Sequence, residues 1–128
     1  MVTSGHEAAA EVAVRAGVLA HHLNQRVIGV IENLSGLSCP HCHEIIDVFG
    51  RGAGVELAKQ LSAQTNTEIP VLGEIPIDPN VRKAGDSGVP IVIAEPTSAS
   101  ATAIMEIAKK LASTPRGLLG KSLTVSPV

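Results

Sequence analysis

The 128-residue chain is 45% hydrophobic, carries a formal net charge of −2, and contains one Phe, no Trp and no Tyr. With neither aromatics to stack bases nor a basic stripe to grip phosphates, it is read as having no nucleic-acid partner. No apolar run approaches the roughly 20 residues that span a bilayer, and the opening Met1-Val2-Thr3-Ser4-Gly5-His6-Glu7 lacks the basic-then-apolar order of a secretory leader, so a cytoplasmic chain with no membrane partner is expected.

Ser4 and Glu7 have the spacing of a capping box. Ala8 to Leu23 then reads as a helix, with Ala9, Val12, Ala13, Ala16 and Leu19 or Ala20 near one face. Arg26 to Ile31 is a β-branched run suited to a strand buried on both faces, and Asn33 to Ser38 reads as a loop. Glu44 to Phe49 is a short strand candidate in which Ile45 and Val48 do not alternate cleanly. Gly50, Gly52 and Gly54 loosen the backbone before a helix from Val55 to Ala63. Ile69 to Ile75 is a strand candidate closed by Pro76; Asp78 can cap, and Pro79 can open, a short helix to Gly85. Pro90 to Ala94 is a third short apolar run. Ser98 to Ala112 reads as the last helix, with Ala101, Ile104, Met105, Ala108 and Leu111 as its apolar stripe. The expected organisation is one domain over 1–113 and a flexible tail over 114–128, with no internal repeat.

Helices alternating with short apolar runs predict an α/β fold, a mostly parallel sheet with flanking helices. Two or three strands are few for a complete doubly wound domain.

The chemistry concentrates at Cys39-Pro40-His41-Cys42. A two-residue spacer lets both sulfurs face one metal, and Pro40 stiffens the turn. A structural zinc or a 4Fe–4S cluster takes four ligands, whereas the chain has two cysteines. Three solutions stay open: a second copy supplies the other pair; His41, His43, Glu44 or Asp47 fill in; or the pair cycles between dithiol and disulfide. The dithiol reading has support, because Cys-Pro-His-Cys is also the tetrapeptide of thioredoxin-type thiol oxidases, whose first thiolate sits at a helix N-terminus. A long helix is not expected here, since Gly50 follows within two turns. Zinc-stabilised structure, or two thiols with no ligand, complete the set.

The run Val27-Ile28-Gly29-Val30-Ile31-Glu32-Asn33-Leu34-Ser35-Gly36-Leu37-Ser38 leading into the cysteines resembles the Mrp/ApbC iron–sulfur carriers, as do Asp47 to Gly54 and Leu72 to Arg82 with Ala84 to Pro90, in the same order and spacing. These blocks cover roughly residues 8 to 95. The resemblance implies a P-loop NTPase-like sheet of the MinD kind and a homodimer in which Cys39 and Cys42 of both subunits bridge a labile 4Fe–4S cluster for apo iron–sulfur client proteins. It further implies that Asn33 reads the adenine of ATP and that Pro76 and Asp78 line the other wall of that pocket. On the residues alone, Asn33 also fits an Asx turn and Asp78 a plain helix cap.

The sequence departs from that pattern in one respect. No Gly-rich turn ending in Lys and Ser or Thr occurs, and the aspartate segment that would hold magnesium is absent, so the phosphate-binding loop and first strands of the family's fold are missing from these residues. Most affinity for a nucleoside triphosphate comes from its phosphates and magnesium. The chain alone is therefore expected not to hydrolyse ATP.

Overall fold

A computed structural model of the chain describes residues 1–114. The expected tail, apart from Thr114, lies outside the described residues. Elements follow in the order β1 (Val2–Ser4), α1 (Glu7–His22), β2 (Val30–Ser38), β3 (Ile45–Ile46), α2 (Ala53–Thr65), β4 (Val71–Ile77), α3 (Pro79–Ser87), α4 (Ile91–Ala94) and α5 (Ala99–Ser113).

The sheet has four strands with β2 at its centre. β1 runs parallel to it, Val2 opposite Ile31 and Ser4 opposite Asn33. β4 runs parallel to it as well, Val30 opposite Val71 and Asn33 opposite Ile75. β3 folds back antiparallel on the end of β2, Leu37 opposite Ile46 and Ser38 opposite Ile45. The α/β class and the mostly parallel sheet are as the sequence predicts.

Several elements differ from the reading of the sequence, each for a physical reason. Val2–Ser4 is a strand, because pairing with the central strand outweighs its neutral local preference; His6, not Ser4, precedes α1, and it makes no side-chain cap. Residues 33–38 are strand rather than loop. Their turn-like residues mark a bulge: Leu34 and Gly36 sit at φ 59° and 76°, and the register against β4 shifts between Asn33 and Leu37. A left-handed backbone costs a non-glycine residue about 1–2 kcal/mol; here the Asn33 Oδ1 accepts the Leu34 N–H at 2.9 Å and offsets part of it. Pro76 lies inside β4 rather than ending it. The short apolar run from Pro90 to Ala94 forms a turn of helix, α4 over Ile91–Ala94 with Pro90 just before it.

The core forms where α1 and α2 pack on each other and on β1 and β2. Ala13, Val30, Leu57, Ala58, Leu61 and Ile69 are buried together there. Fully burying a side chain such as Leu57 or Leu61 stabilises by about 1.5–3 kcal/mol. The buried face of α1 is Ala13 and Gly17, flanked by Val14 and Val18; Val12, expected inside, is 64% exposed. A second cluster of Ala84, Ile91 and Ala101 joins α3, α4 and α5. On α5 the buried positions are Ser100, Ala101 and Ile107, while Met105 and Ala108 face out. Ile107 fills the space over Gly73 of β4, where a Cβ would stand 2.7 Å from its Cγ1, so α5 turns that side inward.

Candidate functional site

The cysteines occupy the tip of the β2–β3 hairpin. Cys39 follows the last residue of β2; its N–H donates to the Glu44 carbonyl at 2.9 Å, and its carbonyl accepts the His43 N–H at 2.9 Å. His43 closes the turn in the left-handed region, at φ 60°. Cys39 is half-buried and Cys42 exposed, both as free thiols. The backbone N–H of Cys42, then the backbone N–H of His41, then the Cys42 side chain pull the Cys39 thiol below its ordinary range, by bonding its sulfur. Donors aimed at sulfur favour the thiolate, the form that ligates metal and attacks disulfides.

No helix supplies that effect. After Cys42 the chain enters β3, and the next helix, α2, begins only at Ala53. The thiol-oxidase reading thus lacks the helix-terminal cysteine on which it depends. The fill-in ligands also fail to assemble: among the described residues no three His, Cys, Asp or Glu side chains are grouped to hold a metal ion. His41, His43, Glu44 and Asp47 are near in sequence and all exposed, but they complete no ligand set.

Asn33 stands on β2 in register with Ile75, the residue before Pro76. Asp78 follows β4, where its carboxylate accepts the Asn80 N–H at 2.9 Å and caps α3, and the Pro76 carbonyl accepts from Ser100 Oγ at 3.2 Å. Pro76 and Asp78 therefore sit at the carboxyl end of β4, and Asn33, the fourth of nine residues in β2, is paired with the adjoining Ile75. None of them lines the three described cavities, of which the largest, about 540 Å³, lies between the first turns of α1 and α2 and is bordered by Arg51.

Two residues that sequence reasoning passed over shape the hairpin. Glu32, 1% exposed, points its carboxylate at the start of α2, accepting from Gly52 N at 3.1 Å and Gly54 N at 2.7 Å. Glu74 of β4 accepts from Ser35 Oγ at 3.0 Å and from Arg51 Nη2 at 3.1 Å. The signal in the sequence was a charged residue inside an otherwise apolar strand, followed by a glycine-rich stretch that only an acceptor could satisfy.

A family model described as NUBPL iron-transfer P-loop NTPase, of the ParA group, matches residues 1–112. An iron–sulfur cluster carrier protein of Mycobacterium tuberculosis is 46% identical over 127 residues, 99% of this chain and 33% of that protein. The cytosolic Fe-S cluster assembly factor NUBP2 of Bos taurus is 40% identical over 94 residues, 73% of this chain and 32% of that protein. The chain spans about a third of the length of these curated relatives. Among solved structures, the MinD cell division protein of Aquifex aeolicus superposes with a TM-score of 0.60 at 20% identity, covering 90% of this chain and 43% of that one. At that identity the likeness establishes the fold: the sheet is that of MinD-like P-loop NTPases.

Proposed function

The chain belongs to the NUBPL-type iron-transfer P-loop NTPase family, and from that premise we propose that it holds half the thiolates of a labile 4Fe–4S cluster and passes the cluster to apo iron–sulfur proteins. A second copy of the chain supplies the other half, giving a homodimer around a shared cluster. The observation that carries this reading is the isolated pair of thiols at an exposed hairpin tip, with one sulfur biased toward thiolate and no further ligand grouped with it among the described residues. A cluster of four irons takes four thiolates, so a two-thiolate chain meets its need by symmetry.

The cluster is cargo, and the site suits cargo. The exposed hairpin tip, with Cys42 open to solvent, lets an incoming thiolate from a client attack iron, and a ligand set divided between two chains can open without unfolding either. Reduced thiols require a reducing compartment, which fits the cytoplasm. Among the described residues no helix is long and apolar enough to cross a membrane.

For the nucleotide, Asn33 remains the adenine reader in this proposal, with Pro76 and Asp78 on the facing wall. The place of Pro76 and Asp78 at the carboxyl end of β4, with Asn33 of β2 paired to the adjoining Ile75, supports it, since ligands of open α/β sheets bind at the carboxyl ends of strands. The residues present do not fit triphosphate and magnesium, because the sequence has no phosphate-binding loop; no hydrolytic step is assigned to them.

Anaerobic reconstitution with iron and sulfide tests the reading. A brown protein with broad absorbance near ~400 nm, as for thiolate-bound clusters, is expected, lost in Cys39→Ser and Cys42→Ser and lost from the wild type when apo-ferredoxin is added. Stoichiometric zinc with no iron uptake, or catalytic disulfide exchange with a model substrate, would instead select the structural or oxidoreductase reading.

A further inference from the structure

Every residue from Pro40 to Gly52 is exposed, and the strand ladder of the hairpin that carries the cysteines has two paired positions, Leu37 with Ile46 and Ser38 with Ile45, extended by the Cys39 N–H bond to the Glu44 carbonyl. So short a ladder is marginal in water. The placement of the two sulfurs must come from the points where the chain leaves the core and where it returns.

Glu32 reaches both points. It is part of β2, the strand that runs out into the hairpin, and it is nearly fully buried. Both carboxylate oxygens lie 3.1 Å from the N–H of Gly52, and one accepts the N–H of Gly54 at 2.7 Å, at the place where the chain re-enters the fold as α2. Those N–H groups open α2 and have no acceptor within the helix, so an apolar residue at 32 would strand them. Gly52 is turned to φ 90° to present its N–H, and a Cβ on Gly54 would stand 3.0 Å from Glu32 Cβ and 3.1 Å from its Oε2, so the fit admits glycine alone without a shift. Outside this clip the shared Glu74 oxygen ties Ser35 of β2 to Arg51 of the returning segment.

We infer that Glu32 is a positioning residue for the cluster: it clips the exit and the return of the cysteine hairpin together and so fixes where Cys39 and Cys42 present their thiolates. The inference rests on the proposed cluster-carrying function, but the clip itself is read without a cluster.

Hydrogen exchange of the Cys39 and His43 amides, both bonded within the hairpin, is measured in the full chain for wild type, Glu32→Gln and Gly54→Ala, alongside the rate at which a chelator strips iron from the reconstituted protein. Ile69→Val, a core truncation lining the cavity at the α1 and α2 C-terminal ends, serves as a destabilised control. Supporting residues around a metal site typically cost 10- to 100-fold in metal affinity when altered. Both clip variants are accordingly expected to speed the two hairpin amides and the iron loss by about tenfold or more, while Ile69→Val leaves both at wild-type rates. Wild-type exchange at both amides in the clip variants, or equal acceleration in Ile69→Val, would overturn the inference. Should Glu32→Gln fail to fold, Gly54→Ala probes the same contact from its other side. A wild type that takes up no cluster refutes the proposed function, and the amide exchange still decides whether Glu32 positions the hairpin.

Discussion

Gly5 and Gly50 meet backbone to backbone: a Cβ on Gly5 would stand 2.0 Å from the Gly50 carbonyl oxygen and 2.9 Å from that of Phe49. The turn between β1 and α1 thereby abuts the segment returning from the cysteine hairpin, beside the ring contact of His6 with Phe49 at 5.8 Å. The obstacle is main chain and cannot step aside as the end of a side chain could. Gly5→Ala is expected to cost about 1–3 kcal/mol, the usual range for overpacking, read from the urea midpoint at unchanged slope. A wild-type midpoint would show that the two segments separate freely.

Two helical glycines are expected to respond oppositely to alanine. In a helix interior the change alone favours Ala by about 1 kcal/mol. At Gly17, however, the new methyl would lie 2.6 Å from Leu61 Cδ2 and 2.9 Å from Met1 Sδ, and Leu61 is fully buried. Overpacking of about 1–3 kcal/mol then outweighs the propensity gain, so Gly17→Ala lowers the melting temperature. Gly85 on α3 has nothing within 4 Å of the same position, and Gly85→Ala raises stability by about 0.5–1 kcal/mol. Thermal melts of both variants check the contrast.

The Cys39 thiol is predicted to react with iodoacetamide at lower pH than an ordinary cysteine, because hairpin N–H groups stabilise its thiolate. Urea unfolding should return the profile to the usual value near about 8.5. A folded pKa below the unfolded one means that the fold binds the proton less tightly, so stability rises with pH through the window between the two values. That contribution is complete above the unfolded value and is lost as pH falls through the folded one. An alkylation profile that does not move on unfolding contradicts the hairpin geometry.

Asp78 and Asn33 should separate in their effects. Asp78 caps α3 through the Asn80 N–H, so Asp78→Ala is expected to cost about 1 kcal/mol, the usual loss for such a cap. Among the contacts described the half-buried Asn33 side chain bonds only its neighbour's N–H, and Asn33→Ala should stay within about 0.5 kcal/mol of wild type. Denaturant titration of both variants decides this.

The order of helices and the class of fold were legible in the sequence because helical stretches alternate with short apolar runs, and Asp78-Pro79 is a local start signal whose cap bond forms as expected. The cysteine pair was legible because two thiols at that spacing have few other uses. The rest was decided by contacts that no local pattern encodes. Val2–Ser4 is a strand through its pairing with Ile31 to Asn33. The bulge at Leu34 and Gly36 looks like a loop residue by residue, yet continues β2 into the hairpin. Met105 was placed inside by a stripe that the Ile107–Gly73 contact rotates away. No role for Glu32 was read from the sequence, because the donors to its carboxylate, Gly52 and Gly54, lie across the fold.

Native mass spectrometry of the anaerobically reconstituted chain tests the central claim most directly, since it weighs protein and cluster together. A pair of chains carrying one 4Fe–4S cluster, falling to apo monomers in Cys39→Ser, is the predicted result. Metal bound stoichiometrically to a single chain, or a folded chain that stays free of iron and sulfide, would contradict the shared-thiolate account.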